Sequence, residues 1–150
     1  MTADNHYHKL VRAVRDALKA ALPTGVEVYV PRDDSEAEIL LAGAAPFVCV
    51  VLGSPDNEPS GMKGDKRPEE LFPVDVMIVA PMAVETADID GKDVLSLLAM
   101  VRGVMVPQAG FRPNSNPHPV ESLGFGIEQL LMTGVLLRDR YQVRRPPWAT

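Results

Sequence analysis

Residues 46–80 read PFVCVVLGSPDNEPSGMKGDKRPEELFPVDVMIVA, and this stretch decides the fold. Two apolar runs, Pro46–Gly53 and Leu71–Ala80, flank a polar segment, residues 54–70. The first run is rich in β-branched residues and too short for a helix of its own. It predicts a central strand covered on both faces, with Cys49 as a small core hydrophobe. In the second run Val74, Val76 and Ile78 share one face. The segment between carries Pro55, Pro59, Pro68, Gly61 and Gly64 and shows no helical period. A parallel return needs a crossover element, usually a helix, and nothing in this segment supplies one. The two strands are therefore expected to pair antiparallel, joined by a long mobile flap at 54–70. Loops longer than about 12–15 residues without internal structure are usually functional or disordered.

Upstream, residues 6–22 place Leu10, Val14, Leu18 and Leu22 at four-residue intervals, with Arg12, Arg15, Asp16 and Lys19 on the other face. This is an amphipathic helix, ended by Pro23 and Gly25. Val26, Val28 and Val30 alternate with Glu27 and Tyr29, as in a half-buried strand, and Pro31 stops it. Ser35 with Glu38 fits a capping box for a short bridging helix.

Downstream, residues 92–106 carry the stripe Val94, Leu98, Val101, Met105, capped by Asp90 or Asp93 and stopped by Pro107. Residues 107–122 read as a loop. Residues 125–143 read as the closing strands, with a bulge or break at Gly134. From Val135 onward the odd positions are mostly apolar, while Arg138, Arg140 and Arg144 share the even side. Pro146 and Pro147 hold an extended tail over 145–150. The order of elements predicts one α+β domain over residues 1–150. Its sheet is mainly antiparallel, with two principal helices packed on one face.

Composition bounds the function. The chain has 150 residues, 46% of them hydrophobic and 23% charged, with a formal net charge of −5. That excludes disorder as the main state. One cysteine and three histidines exclude a disulfide framework and leave few ligands for a metal. The longest uncharged run, 39–55, is broken by Gly43, Pro46 and Gly53, so no membrane span is expected. The first residues are charged where a signal peptide is apolar, which predicts a soluble cytoplasmic chain. Charge is uneven. Residues 33–93 hold fourteen acidic and four basic groups, whereas 94–150 hold six basic and three acidic. A solvated acidic surface explains this, and so do complementary surfaces meeting between subunits.

Catalytic spacing is absent. His6 and His8 lie two apart, so they do not face each other on a helix. His118 sits between two prolines. Gly124-Phe125-Gly126 has Gln129 where a nucleotide fingerprint has its third glycine, and it precedes a strand. Asp88 and Asp90 fit a turn and a helix cap better than a calcium loop. Asp75 is expected on the wetter face of the sheet, with a functional carboxylate left open. No catalytic, cofactor or metal residue is assigned.

The succession HKLVRAVRDALKAAL, GVEVYV, PFVCVVLG, a long flap, PVDVMIVAP, DVLSLLAMVRGVMV and GVLLRDRYQVR resembles the tail terminator (tail completion) proteins of long-tailed bacteriophages. The likeness spans about residues 6–144. It implies a virion structural protein, not an enzyme, with no cofactor. It further implies a homohexameric ring that caps the tail tube, ends tube polymerisation and joins the tail to the head connector. The implied partners are other copies of the chain, the tail tube protein and the connector, with DNA only passing through the lumen. The implied location is the virion tail, after assembly in the host cytoplasm. Candidate interface residues are Arg138, Arg140, Arg144 and Trp148, with Lys63, Lys66 and Arg67 of the flap. The arginines are expected to meet acidic groups in 33–38 or 85–93 of a neighbour. A related neck or head–tail joining protein, or a small ligand-binding or enzymatic domain with a pocket between sheet and helices, are the alternatives.

Overall fold

The computed structural model describes residues 5–33, 35–36, 46–52, 70–83, 91–132 and 134–145. The flap at 54–70, apart from Glu70, lies outside these residues. So do Lys63, Lys66, Arg67, Trp148 and the rest of the tail from 146.

Helix α1 spans His6–Ala21 and buries Leu10, Val14 and Leu18 along one stripe. Its start is fixed by a reciprocal cap: the Asn5 side chain accepts from the His8 N–H, and the His8 ring accepts from the Asn5 N–H. Strand β1 (Glu27–Tyr29) follows the Pro23–Gly25 turn, and β2 (Phe47–Leu52) runs parallel to it. Of the bridging helix expected from Ser35, residues 35 and 36 are described and helical, with Asp33 accepting from the Glu36 N–H at 2.9 Å. Strand β3 (Glu70–Ala80) pairs antiparallel with β2, Phe47 opposite Val79 and Leu52 opposite Val74, as the polar segment between them predicts. Helix α2 spans Val94–Met105 and is capped by Asp93, whose carboxylate accepts from the Ser96 N–H at 3.2 Å.

Strands β4 (Glu121–Leu131) and β5 (Gly134–Arg145) form an antiparallel hairpin. The sheet order is β1-β2-β3-β5-β4, and among the described residues only the β1–β2 pair is parallel. Here the structure departs from the sequence reading in one respect. β4 begins at Glu121 rather than 125, inside the expected loop, because Gly124 and the polar residues before it hide a strand with little apolar side chain to announce it. At Gly134, read as a bulge or break, the chain does break: β5 opens there, straight after the hairpin turn. A Cβ there would stand 2.6 Å from the Ala80 carbonyl oxygen, so the close approach of β5 to β3 requires glycine.

Both helices pack on one face of the sheet, over Val48, Val50, Val74, Val76, Ile78, Leu137, Tyr141 and Val143. A smaller cluster of Phe47, Cys49, Val79 and Leu136 occupies the opposite face. Burial pushes the Cys49 thiol up to about 12, consistent with its expected role as a core hydrophobe. Among the described residues, no helix is long and apolar enough to cross a membrane.

Candidate functional site

The two faces of the terminal hairpin carry unlike chemistry, because side chains alternate along a strand. Arg138, Arg140 and Arg144 share the face away from the helices, as the alternation predicts. Each has an acidic partner within its own chain. Asp75 on β3 lies directly opposite Arg140 in the ladder. Its carboxylate accepts from Arg138 Nη1 at 2.8 Å and lies 4.0 Å from Arg140 Nε. Arg138 Nε is also 3.0 Å from Glu128. Arg144 Nε donates to Glu121 at 3.2 Å, and Gln142 donates to the same carboxylate at 2.9 Å. The Gln142 bond, with Arg144 beside it, holds the Glu121 carboxyl below the usual range.

Asp75 was expected on the wetter face, and it does share the arginine face. It is nevertheless buried. Its partners are supplied by a strand more than sixty residues away, at a separation of 63 for Arg138. Burial raises its carboxyl above the ordinary range, and the two arginines pull it down without cancelling the effect. Opposite Arg138 and Arg140 on β4 stand Gly126 and Gly124, which add no side chain to that face. The result is a shallow depression of about 470 Å³ floored by the arginines. Gly124 has φ +102° at the register shift after Ser122, a conformation other side chains rarely adopt.

On the helix face, Asp139 is fully buried and held by two groups, Arg102 and Tyr141. Arg102, in the last turn of α2, donates Nη1 to Asp139 at 2.9 Å and Nη2 to Ser122 Oγ at 3.0 Å. The Tyr141 hydroxyl donates a short hydrogen bond to the other carboxylate oxygen. The Arg102 guanidinium also lies 5.2 Å from the centre of the Phe125 ring and 5.9 Å from that of Tyr141. Burial raises the Asp139 carboxyl, against the pull of Tyr141 and Arg102. Burial, then the bond to Asp139, raises the Tyr141 hydroxyl. This cluster clamps the root of β4 to the helix layer.

Beyond the clamp, β4 is bare. Phe125 is 55% exposed, Ile127 52% and Leu130 76%, and Met132 in the turn is fully exposed. By register these three strand residues lie opposite Asp139, Leu137 and Val135, on the helix face, with Arg102 of α2 reaching over the first of them, Phe125. Contiguous exposed apolar surface of this kind marks an interaction site more often than a scattered Leu does. The sequence carried a signal for it: Phe125 and Ile127 alternate with Gly124 and Gly126, a one-sided strand.

A second concavity of about 690 Å³ lies at the opposite corner of the sheet. Val11 and Tyr7 of α1, Val30, Val50, Leu52 and Phe72 supply its apolar lining. It exists because β1 pairs with β2 only as far as Tyr29 and Cys49. Pro31 cannot donate to a ladder, so β2 runs on past the end of its neighbour. Tyr7 stacks on Phe72 at 5.4 Å, and its hydroxyl donates to Glu70 at 2.7 Å. Among the described residues no group of His, Cys, Asp and Glu is placed to hold a metal ion. No protein-family model matches the chain, and no curated protein matches it.

Proposed function

We propose that the chain is a structural subunit of the phage tail terminator type, which assembles into a ring, caps the tail tube and joins it to the head connector. The observation that carries this is the terminal hairpin, an eleven-residue edge strand with apolar side chains turned to solvent. A monomer blunts such an edge with charge, proline or cover, and β4 has only Glu121 and Glu128 for that purpose. The α+β architecture suits a subunit of this kind. The titratable clusters of the described residues are ion-paired and clamp strands, which favours a scaffold over an enzyme. In the proposed particle the partners are further copies of the chain, a tube protein and a connector, in a virion tail.

The test is to measure the mass of the purified chain in solution and then to add it to growing tail tubes. A hexamer-sized ring that fixes tube length is the expected result. The 690 Å³ groove supports one rival, a small-molecule binding domain, because it falls within the about 300–1,000 Å³ of ligand sites. A stable monomer that binds a small ligand there would replace the ring proposal.

A further inference from the structure

The geometry points to a proton-operated latch: the first turn of α1 holds its wall of the groove between α1 and β2 only while His6 and His8 are both neutral, and lets go when they take up protons. This is independent of the ring proposed above.

Each imidazole works there as an acceptor. The Asn5 N–H donates to His8 Nδ1 at 3.3 Å, and a backbone N–H has no other role. That ring nitrogen is therefore bare, and a proton on it abolishes the reciprocal cap that starts the helix. His6 Nδ1 lies 3.3 Å from Asn114 Nδ2, an amide nitrogen that likewise only donates. Asn114 belongs to the tight turn Pro113–Ser115 and sits at φ +52°, a left-handed conformation in which asparagine is enriched. The other ring nitrogen, His6 Nε2, is buried with no partner. A charged His6 sets N–H against N–H at Asn114, while its Nε2–H still finds no acceptor.

The surroundings resist the charge as well. Around His6 stand Lys9 of α1, Arg145 at the end of β5 and Glu70 at the start of β3. Of these only Glu70 attracts, and it is already engaged: it accepts from the Tyr7 hydroxyl at 2.7 Å and pairs with Arg145 at 3.4 Å. Burial first, then Arg145, holds the His6 imidazole below its usual value of 6.5. Around His8, the groove residues of α1 include Arg12 and Arg15, with Asp16 beside Arg15, and among the described residues none lining the groove is acidic. Both histidines also lie in the first turn, where the helix dipole disfavours positive charge. The His6 half of the latch is therefore complete above pH 6.5 and weakens as pH falls from there toward its lowered value.

Tyr7, between the two histidines, is what the latch holds. Its ring stacks on Phe72 of β3 at 5.4 Å, and the Arg145 guanidinium lies 5.5 Å from the ring centre. Asn5, Tyr7 and His8 together line the groove of about 690 Å³, and Phe72 lines it too. Freeing the turn takes three residues out of that lining, so acid opens the groove at the end nearest the start of β3.

The test is an NMR titration of the full chain from about pH 7.5 to about pH 5, which brackets the imidazole range. It follows the histidine ring protons, the Tyr7 and Phe72 rings and the methyls of the buried Val76. The population with Tyr7 unstacked should rise about threefold or more in step with protonation of His6, the scale of a lost helix cap. His8→Gln keeps an acceptor at the third helical position, where glutamine serves a capping box, and takes no proton. Combined with His6→Gln, it should leave the Tyr7 signals still over the same range. If they move as far in that double variant, another group drives the change and the latch falls. Two wild-type readings decide even where the double variant fails to fold. A Tyr7 ring that stays stacked with both imidazoles charged overturns the latch, and so does a His6 that titrates at or above 6.5. A Val76 change that tracks Tyr7 shows unfolding of the whole domain and overturns it too.

Discussion

β3 and β4 are each eleven residues long and each pairs with β5, yet they live in opposite environments. β3 sits mid-sheet, and from Val74 to Ala80 every residue but Met77 is buried. β4 sits at the edge, and from Ser122 to Leu130 every residue is exposed. The sequences anticipate this. β3 is a Val- and Ile-rich run without glycine, suited to cover on two sides, while β4 places two glycines among its apolar residues. Equal length and a shared partner do not set stability. Cover does.

The comparison breaks most sharply at the isoleucines. Ile78→Ala in β3 removes a side chain with no exposed surface and should cost about 2–5 kcal/mol, read as a lowered urea midpoint. Next comes the clamp. Arg102→Ala leaves the buried Asp139 carboxylate without its cation. Because Arg102 itself is partly exposed, the loss should be about 2–3 kcal/mol, below the about 3–5 of a fully enclosed pair. Arg102→Lys restores the charge but not the two-pronged donation to Asp139 and Ser122, so hydrogen exchange in β4 should quicken while the midpoint partly recovers.

A smaller effect is the pH dependence. Asp75 and Asp139 have carboxyls raised in the folded state, so the fold holds their protons more tightly than the unfolded chain does. Stability should then fall as pH rises from the ordinary aspartate value through their raised ones, by up to about 1.4 kcal/mol per pH unit for each group. Asp93 and Glu121 are lowered and act in the opposite sense, losing their contribution as pH drops below the ordinary range. Urea midpoints across pH should show the first slope flattened in Asp139→Asn. Smallest of all, Ile127→Ala in β4 should change the midpoint by under about 0.5 kcal/mol, although it shares its residue type with Ile78. A large loss there would show that β4 is covered within the single chain.

Much of the fold was legible because it follows from periodicity and from what a loop lacks. The stripes of α1 and α2, the pairing of β2 with β3 and the two-faced character of β5 are local patterns. The parallel pairing of β1 with β2 was not legible, since neither strand's own pattern sets the direction in which the two run. Arg138, Arg140 and Arg144 were picked out correctly as one face. Their partners Asp75, Glu128 and Glu121 were missed, because all three stand on other strands and come beside the arginines only once strands pair. The Arg102–Asp139–Tyr141 cluster was missed for the same reason: Asp139 looked like a polar lapse in an apolar alternation until a helix residue 37 positions away reached it.

The strand order also has a history in time. β5 lies between β3 and β4, so the outer edge of β3 has no partner until β5 itself, which follows α2 and β4 in the chain, has been made. The end of β5 comes 65 residues after the end of β3, and at about 5–20 residues per second a ribosome takes about 3–13 s to add them. For those seconds the newborn chain presents a valine-rich strand with one open side. An unpaired edge of that kind is a template for pairing with other chains, a hazard that ends when β5 docks on it.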